Sequence, residues 1–165
     1  MLFRSDVGAL VKGFPREAAV AVSIAGVRTN FRMPDVLSIP LGGGSVIQEN
    51  PLRIGPDSVG YRLTEEGIVF GGGTLTGTDV AVAGGLAQVG DSTLVQGLAH
   101  SFVEQASLEI QHRMETAIDQ VKVSAMDVPV VLVGGGRILA GSSLSGARAE
   151  ERRAGKECRS RWSPD

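Results

Sequence analysis

Cysteine and aromatic residues are scarce in this chain of 165 residues. It contains one cysteine, one tryptophan and one tyrosine, and aromatic residues make up only 4% of it. The cysteine and the tryptophan, Cys158 and Trp162, both lie close to the C-terminus. A single cysteine cannot form an internal disulfide or a cysteine-based metal site. The sequence therefore excludes a disulfide-stabilised fold, and it offers no thiol nucleophile in the body of the chain.

Long apolar runs and the common nucleotide-binding motifs are also missing. No apolar run approaches the roughly 20 residues that a membrane-spanning helix needs, and Met1–Leu10 lacks the apolar segment of a signal peptide. There is no Gly-Lys-Ser/Thr loop, and the spacing of the dinucleotide fingerprint is absent. We therefore expect a soluble, cytoplasmic protein. Any nucleotide site in it has another design.

The two ends of the chain look unlike the segment between them. Leu2–Ser5 can be encoded by codons whose reverse complement encodes Arg-Ser-Glu-Glu, and the chain has Arg148-Ala149-Glu150-Glu151. The rest of the tail resembles a translated sequencing adapter. We therefore expect residues 1–5 and 148–165 to be adapter-derived, with a disordered tail, and residues 6–147 to be a core truncated at both ends. A native basic tail that binds nucleic acid is the alternative.

Without these ends the chain is acidic. The whole chain has 16 basic and 18 acidic residues, and removing Arg4 and the tail leaves nine and 14, a net charge of about −5. An acidic surface is repelled by the phosphates of nucleic acids and binds them poorly. We therefore expect neither a nucleic acid nor a membrane as a partner.

Short apolar runs with turn residues between them predict several strands. Val36–Leu41 and Val128–Val133 have the length and composition of buried strands, and Asp6–Val11 with Ala18–Ile24 predicts a hairpin. Ser45–Gln48 and Leu52–Ile54 read as two further short strands.

Two helices are predicted in the second half of the chain. Thr76–Asp79 offers an N-cap for a helix over Val80–Gln88. After Ser92, apolar residues three or four positions apart predict a long outer helix of about 30 residues, or one that is bent once. Strands that alternate with helices indicate an α/β (α+β) fold with a mixed sheet.

Two triple-glycine loops each follow a predicted buried strand. Gly42, Gly43 and Gly44 form the first loop, and Gly134, Gly135 and Gly136 form the second. Because glycine has no Cβ, backbone N–H groups in such loops can approach a phosphate or a nucleoside closely. A plain tight turn is the alternative for each loop alone. Ser45, directly after the first loop, can donate its hydroxyl to a phosphate or simply satisfy the turn.

Asp35 stands one strand length before the first glycine loop. A carboxylate near a phosphate loop can hold Mg²⁺ or orient an attacking nucleophile, because hard cations prefer oxygen ligands. An exposed residue at the start of a strand is the alternative. We take Asp35 as the candidate catalytic residue and metal ligand.

A set of motifs in a fixed order resembles the A-type subunits of hydantoinases and oxoprolinases. The resemblance covers residues 6–140, and its motifs are Gly13-Phe14-Pro15-Arg16-Glu17, Gly26–Ser38, Leu41–Ser45, Gly55–Glu66, Thr74-Leu75-Thr76, Thr78-Asp79 and Pro129–Gly136.

The resemblance implies an actin-like ATPase (ribonuclease H-like) fold whose two halves close on ATP and Mg²⁺. It also implies that ATP is used to open five-membered cyclic amides such as hydantoin or 5-oxoproline, together with a B-type subunit or domain. By this analogy Gly42–Ser45 is a phosphate loop, Asp35 is its carboxylate, and Gly134–Gly136 is the loop on the adenosine side.

The chain departs from the family pattern at three places. The glycines expected just before Asp6 are missing, Pro40 stands where the family usually has glycine, and Gly73 stands where it usually has aspartate. We therefore expect this fragment alone to be inactive. Two alternatives share the motifs: the ATPase subunit of a ketone carboxylase resembling acetone or acetophenone carboxylase, and a non-catalytic actin-like nucleotide-binding module.

Overall fold

The computed structural model of the chain describes most of the segment between the two ends. The described residues are 5–17, 23–24, 27–28, 34–122 and 129–140. Of the two ends predicted to be adapter-derived, only Ser5 is among the described residues. Most of the predicted strand Ala18–Ile24 also lies outside them.

The described strands are short and pair in twos, always antiparallel. Strand β1 (Ser5–Gly8) pairs with β6 (Val36–Ile39), β2 (Leu10–Val11) with β3 (Phe14–Pro15), β4 (Ser23–Ile24) with β5 (Val27–Arg28), and β7 (Ser45–Gln48) with β8 (Arg53–Ser58).

The pairing differs from the predicted hairpin between Asp6–Val11 and Ala18–Ile24. The chain turns earlier, because Lys12 and Gly13 both adopt positive φ, 54° and 85°, and return β3 beside β2. Strand β1 is then left to pair with β6, about 30 residues further along the chain. The predicted strand Asp6–Val11 is thus divided into two shorter strands, β1 and β2.

The predicted mixed sheet is not found in the part of the chain that the structure describes. Its parallel pairing there is a single bridge between Gly67 and Thr74. Residues 129–133 form no strand, so that part of the predicted strand Val128–Val133 is wrong, and Val128 lies outside the described residues. Val131 and Val133 are exposed, and a lone extended segment without a neighbouring strand has no ladder to stabilise it.

The helices follow the sequence pattern more closely. They are α1 (Leu63–Glu66), α2 (Gly77–Ala83) and α3 (His100–Val121), with 3-10 turns at Gly60–Arg62, Ile68–Phe70, Ser92–Val95 and Gly135–Leu139.

Helix α2 begins where its N-cap was predicted. The Thr76 hydroxyl accepts from the Asp79 amide, and the Asp79 carboxylate accepts from the Thr76 amide, which is a reciprocal capping box. The helix ends at Ala83, earlier than predicted, because Gly84 and Gly85 follow and Gly85 adopts a φ of 73°.

Helix α3 confirms the predicted apolar stripe but not its length. It has 22 residues, which corresponds to about 33 Å, and its buried residues recur at three or four positions: Phe102, Val103, Ala106, Ile110, Met114, Ala117 and Val121. The preceding turn Ser92–Val95 is a separate 3-10 helix, and Gly97 lies between the two. No helix in the described ranges combines the length and the apolarity that crossing a membrane requires.

One apolar core joins the elements that carry the two glycine loops. Leu41 from the start of the first loop, Val80 from α2, Ile110 from α3 and Leu139 from the turn after the second loop are each at most 4% exposed and belong to one cluster. Ile47 and Ile54 of the β7–β8 pair complete its other side. Packing therefore fixes both loops relative to α2.

Candidate functional site

The first glycine loop is a tight turn closed by its own serine. The Ser45 amide donates to the Gly42 carbonyl at 3.0 Å, and the Gly42 amide donates to Ser45 Oγ at 2.9 Å. Ser45 is 1% exposed. The Ser45 hydroxyl oxygen thus accepts a hydrogen bond within the turn, and donation from this hydroxyl to a phosphate stays a prediction.

Neighbouring elements hold the carbonyls of this loop. The amide and the hydroxyl of Thr78, in the first turn of α2, donate to the Gly43 carbonyl at 2.8 and 3.0 Å. The Val59 amide and the Ser58 hydroxyl donate to the Gly44 carbonyl, both at 2.9 Å. The loop is therefore fixed from two sides by hydrogen bonds to its carbonyl oxygens.

Two amides of the loop remain available. Among the described residues, no atom accepts a hydrogen bond from the amides of Gly43 or Gly44. Gly44 is buried and Gly43 is half-buried. A buried amide without a protein acceptor normally donates to water or to a ligand. Two successive amides in a turn make a small anion-binding concavity.

Close packing explains why these positions are glycine. None of Gly42–Gly44 adopts a positive φ. A Cβ added at Gly43 would lie 2.8 Å from Thr78 Oγ1, and one added at Gly44 would lie 3.1 Å from Ser58 Oγ. A side chain at either position would therefore push the loop away from the hydroxyls that hold it.

The second glycine loop lies next to the first. Gly134 adopts a φ of 83° and precedes the turn Gly135–Leu139. A Cβ added at Gly136 would lie 3.6 Å from Ser5 Oγ, and that hydroxyl donates to the Leu41 carbonyl at 2.7 Å, one residue before the first loop. The structure thus brings the two predicted loops together around Ser5.

Asp35 is not part of this arrangement. It lies at the opposite end of β6 from Gly42, seven residues away, a distance of up to about 23 Å along an extended chain. Arg16 donates to Asp35 Oδ2 from Nε at 2.9 Å and from Nη2 at 2.6 Å. Arg16 Nη1 also donates to the Val121 carbonyl at the end of α3, at 3.1 Å. Arg16, which directly follows β3, therefore links Asp35 before β6 to the end of α3.

We expect Arg16→Gln to lower the free energy of unfolding by about 1 kcal/mol, because a half-exposed ion pair and one hydrogen bond are lost. Arg16→Lys should recover little of this, since an ammonium cannot donate in both directions at once. Urea denaturation measures the change. Arg62→Gln is the matched control: its pair with Glu66 is a surface pair four residues apart on one helical segment, worth less than about 0.5 kcal/mol. Equal losses in both variants would contradict the joining role of Arg16.

Asp79 is the charged residue whose importance the sequence understated. It is 0% exposed, and its carboxylate accepts from the Val69 amide at 2.7 Å, from the Thr76 amide at 2.7 Å and from the Thr76 hydroxyl at 2.6 Å. Thr76 followed three residues later by Asp79 is a recognisable capping-box spacing. The bond to Val69 has no such local signal, and it ties the turn Ile68–Phe70 to α2.

The fold and the site define a class of protein. The chain is a mixed α/β protein with small antiparallel sheets, in which a rigid glycine turn with two available amides lies beside a second glycine loop. In the described part of the chain, no three histidine, cysteine, aspartate or glutamate side chains come together as metal ligands would.

Comparison with known families identifies the chain further. A family model described as hydantoinase/oxoprolinase matches residues 5–106, well over half of the chain. The chain therefore belongs to the hydantoinase/oxoprolinase family, a family of cyclic-amide hydrolases. The match includes the first glycine loop, Asp35 and Asp79, whereas Gly134–Gly136 lie beyond it. No curated protein and no solved structure matches the chain significantly.

Proposed function

We propose that this chain is part of an ATP-dependent hydrolase that opens five-membered cyclic amides of the hydantoin or 5-oxoproline type, working with Mg²⁺ and with a B-type subunit or domain. The family match supports hydrolysis of cyclic amides. The observation that carries the dependence on ATP is the pair of available amides at Gly43 and Gly44, held in place through their own carbonyls.

The residues of the loop fit a phosphate group. Two adjacent backbone N–H groups can each donate to a phosphate oxygen, and the bonds from Thr78 and Ser58 keep them from rotating away. When bound, ATP would transfer its γ-phosphoryl group to the amide oxygen and leave as ADP, which would activate the ring carbonyl carbon for attack by water. The C–N bond of the ring would then break, and hydrolysis would release the phosphate. The role of the chain is to fix the phosphate, and such preorganisation is the usual source of rate enhancement in phosphoryl transfer.

Mg²⁺ would be held mainly by phosphate oxygens and water, as is usual for this ion. The metal-binding role of Asp35 stays a prediction. It requires Asp35 to leave Arg16, which donates two hydrogen bonds to Oδ2, and to approach the first glycine loop, because Asp35 lies at the opposite end of β6 from Gly42. Asp35→Asn in the complete enzyme tests this role, since a lost metal ligand would raise the Mg²⁺ concentration needed for activity.

The proposed function is tested on the complete gene product together with its B-type partner. Release of ADP and opening of the ring are measured with hydantoin and with 5-oxoproline, with and without ATP. We expect ring opening to require ATP and ADP release to increase on adding the cyclic amide. ATP turnover that no cyclic amide changes would overturn the proposal and would favour a ketone carboxylase subunit.

Replacing Gly43 by alanine tests the phosphate loop directly. The new Cβ would lie 2.8 Å from Thr78 Oγ1, so the loop must shift. We expect the KM for ATP to rise at least tenfold, because small displacements of positioning groups have large effects. We also expect a stability loss of about 1–2 kcal/mol. Gly73→Ala is the control, since a Cβ there meets nothing within 4 Å. A normal KM for ATP in Gly43→Ala would exclude this loop from the nucleotide site.

A further inference from the structure

The only tyrosine of the chain is displayed to solvent on a rigid turn. Tyr61 is 81% exposed, in the 3-10 turn Gly60–Arg62. The turn is held on both sides, because the Gly60 amide donates to Ser58 Oγ at 3.2 Å and the Arg62 amide donates to the Val59 carbonyl at 3.2 Å. Val59 itself is 6% exposed. A well-fixed backbone therefore presents an aromatic side chain that the described residues leave uncovered.

This turn borders the available amides of the first glycine loop. The Val59 amide donates to the Gly44 carbonyl at 2.9 Å, and a Cβ added at Gly44 would lie 3.3 Å from the Gly60 nitrogen. On the other side of Tyr61, Leu63 Cδ2 would lie 3.9 Å from a Cβ added at Gly43. The segment that carries Tyr61 is thus hydrogen-bonded to Gly44 and passes beside Gly43, the two glycines whose amides have no acceptor among the described residues.

The second glycine loop approaches from the other flank of the first. Ser5 lies beside Gly136 of the second loop and donates to the Leu41 carbonyl. A Cβ added at Gly77 would lie 3.3 Å from Leu139 Cδ2 and 3.0 Å from the Gly42 carbonyl oxygen, so Gly77 lies between the turn that carries Leu139 and the first loop. Gly42 therefore borders the second loop, and Gly44 borders the turn that carries Tyr61. A ligand with its phosphates at Gly43 and Gly44 has a different surface on each side.

The geometry points to Tyr61 as a binding residue for the flat ring of the cyclic amide, on the flank of the phosphate loop away from Gly134–Gly136. This inference rests on the proposed function and names the side from which the substrate meets the phosphate. The five-membered ring of a hydantoin is nearly planar, as is the amide group within the ring of 5-oxoproline, and planar groups stack favourably on an aromatic face. An exposed tyrosine on a fixed backbone loses little conformational entropy on forming such a contact.

The single tyrosine allows a direct test. Uniform labelling of the full 165-residue chain with 3-fluorotyrosine gives one fluorine resonance, that of Tyr61. The resonance is followed during titration with hydantoin, with 5-oxoproline, with ATP and with inorganic tripolyphosphate. We expect a saturable shift with at least one cyclic amide, and much smaller shifts with ATP and with tripolyphosphate.

A kinetic test in the complete enzyme accompanies the titration. Tyr61→Ala should raise the KM for the cyclic amide about five- to tenfold, near the lower end of the effect known for stacking of a nucleobase, and leave the KM for ATP unchanged. Tyr61→Phe should retain the normal KM because it keeps the ring. Leu108→Ala is the matched control, a 60% exposed apolar residue on α3 that should change neither constant.

The outcomes separate the inference from the proposed function. A Tyr61 resonance that shifts with ATP and not with cyclic amides, with a raised KM for ATP in Tyr61→Ala, would overturn the inference and assign the ring to adenine. No shift with any cyclic amide and unchanged constants would also overturn it. Shifts with cyclic amides in a protein whose ring opening needs no ATP would support the inference while the ATP-dependent function fails.

Discussion

Replacing Asp79 by alanine is expected to lower the free energy of unfolding by about 3–5 kcal/mol. The substitution leaves the Val69 amide, the Thr76 amide and the Thr76 hydroxyl without an acceptor in a site that is 0% exposed at Asp79. Each buried donor without a partner costs about 1–3 kcal/mol, and the capping interaction of α2 is lost as well. Urea denaturation followed by circular dichroism measures the change.

The matched control is Asp91→Ala. Asp91 makes the same kind of contact, accepting from the Thr93 hydroxyl at 2.6 Å and from the Thr93 amide at 2.9 Å, but in an exposed position. The hydroxyl and then the amide of Thr93 hold the pKa of Asp91 below its ordinary value of 3.8. Its contribution is therefore present at neutral pH and is lost only as the pH falls below 3.8, through the lowered pKa. At pH 7 we expect Asp91→Ala to move the urea midpoint very little.

Asp79→Asn separates hydrogen bonding from charge. An asparagine whose oxygen occupies the position of Oδ2 keeps both bonds from Thr76, but it turns an N–H group toward the Val69 amide. We expect the free energy of unfolding of Asp79→Asn to lie between that of the wild type and that of Asp79→Ala. If Asp79→Ala were no less stable than Asp91→Ala, the buried carboxylate would not connect α2 to the turn Ile68–Phe70.

The sequence predicts those features that depend on near neighbours. The capping box is encoded by Thr76 and Asp79 three residues apart, and the stripe of α3 by residues three or four positions apart, so both could be found without a structure. Strands β7 and β8 were also predicted, as Ser45–Gln48 and Leu52–Ile54, although their pairing was not; a short turn separates them. These signals lie within one turn or one hairpin.

Contacts between distant segments could not be predicted in the same way. Strand β1 pairs with β6 rather than with the next apolar run, and Arg16 pairs with Asp35, 19 residues away. No periodicity specifies such partners, because they depend on which elements pack together in three dimensions. The same reason applies to the site. The two glycine loops were candidates from their sequence, whereas the direction of the Ser45 hydroxyl and the position of Tyr61 depend on packing.

A comparison of Gly72 with Gly73 tests a third glycine cluster, Gly71–Gly73, which packs against the end of α1. A Cβ added at Gly72 would overlap the backbone carbonyl group of Glu66, whereas a Cβ added at Gly73 meets nothing within 4 Å. Glu66 is the last residue of α1, and its carbonyl accepts from the Thr74 amide at 2.9 Å. We expect Gly72→Ala to lower the free energy of unfolding by about 3 kcal/mol or more, because backbone rather than a flexible side chain must move.

Gly73→Ala should leave the stability unchanged or raise it by up to about 1 kcal/mol, since its φ is not positive and alanine reduces the entropy of the unfolded chain. Thermal unfolding of the two variants side by side measures the contrast, and similar midpoints would contradict the close approach at Glu66.

The effect of Gly72→Ala should extend to the phosphate loop. Moving Glu66 shifts α1, whose Leu63 borders Gly43, so the KM for ATP should rise in Gly72→Ala and stay normal in Gly73→Ala. Gly73→Asp, which restores the residue usual in the family, has the same open space and should fold equally well.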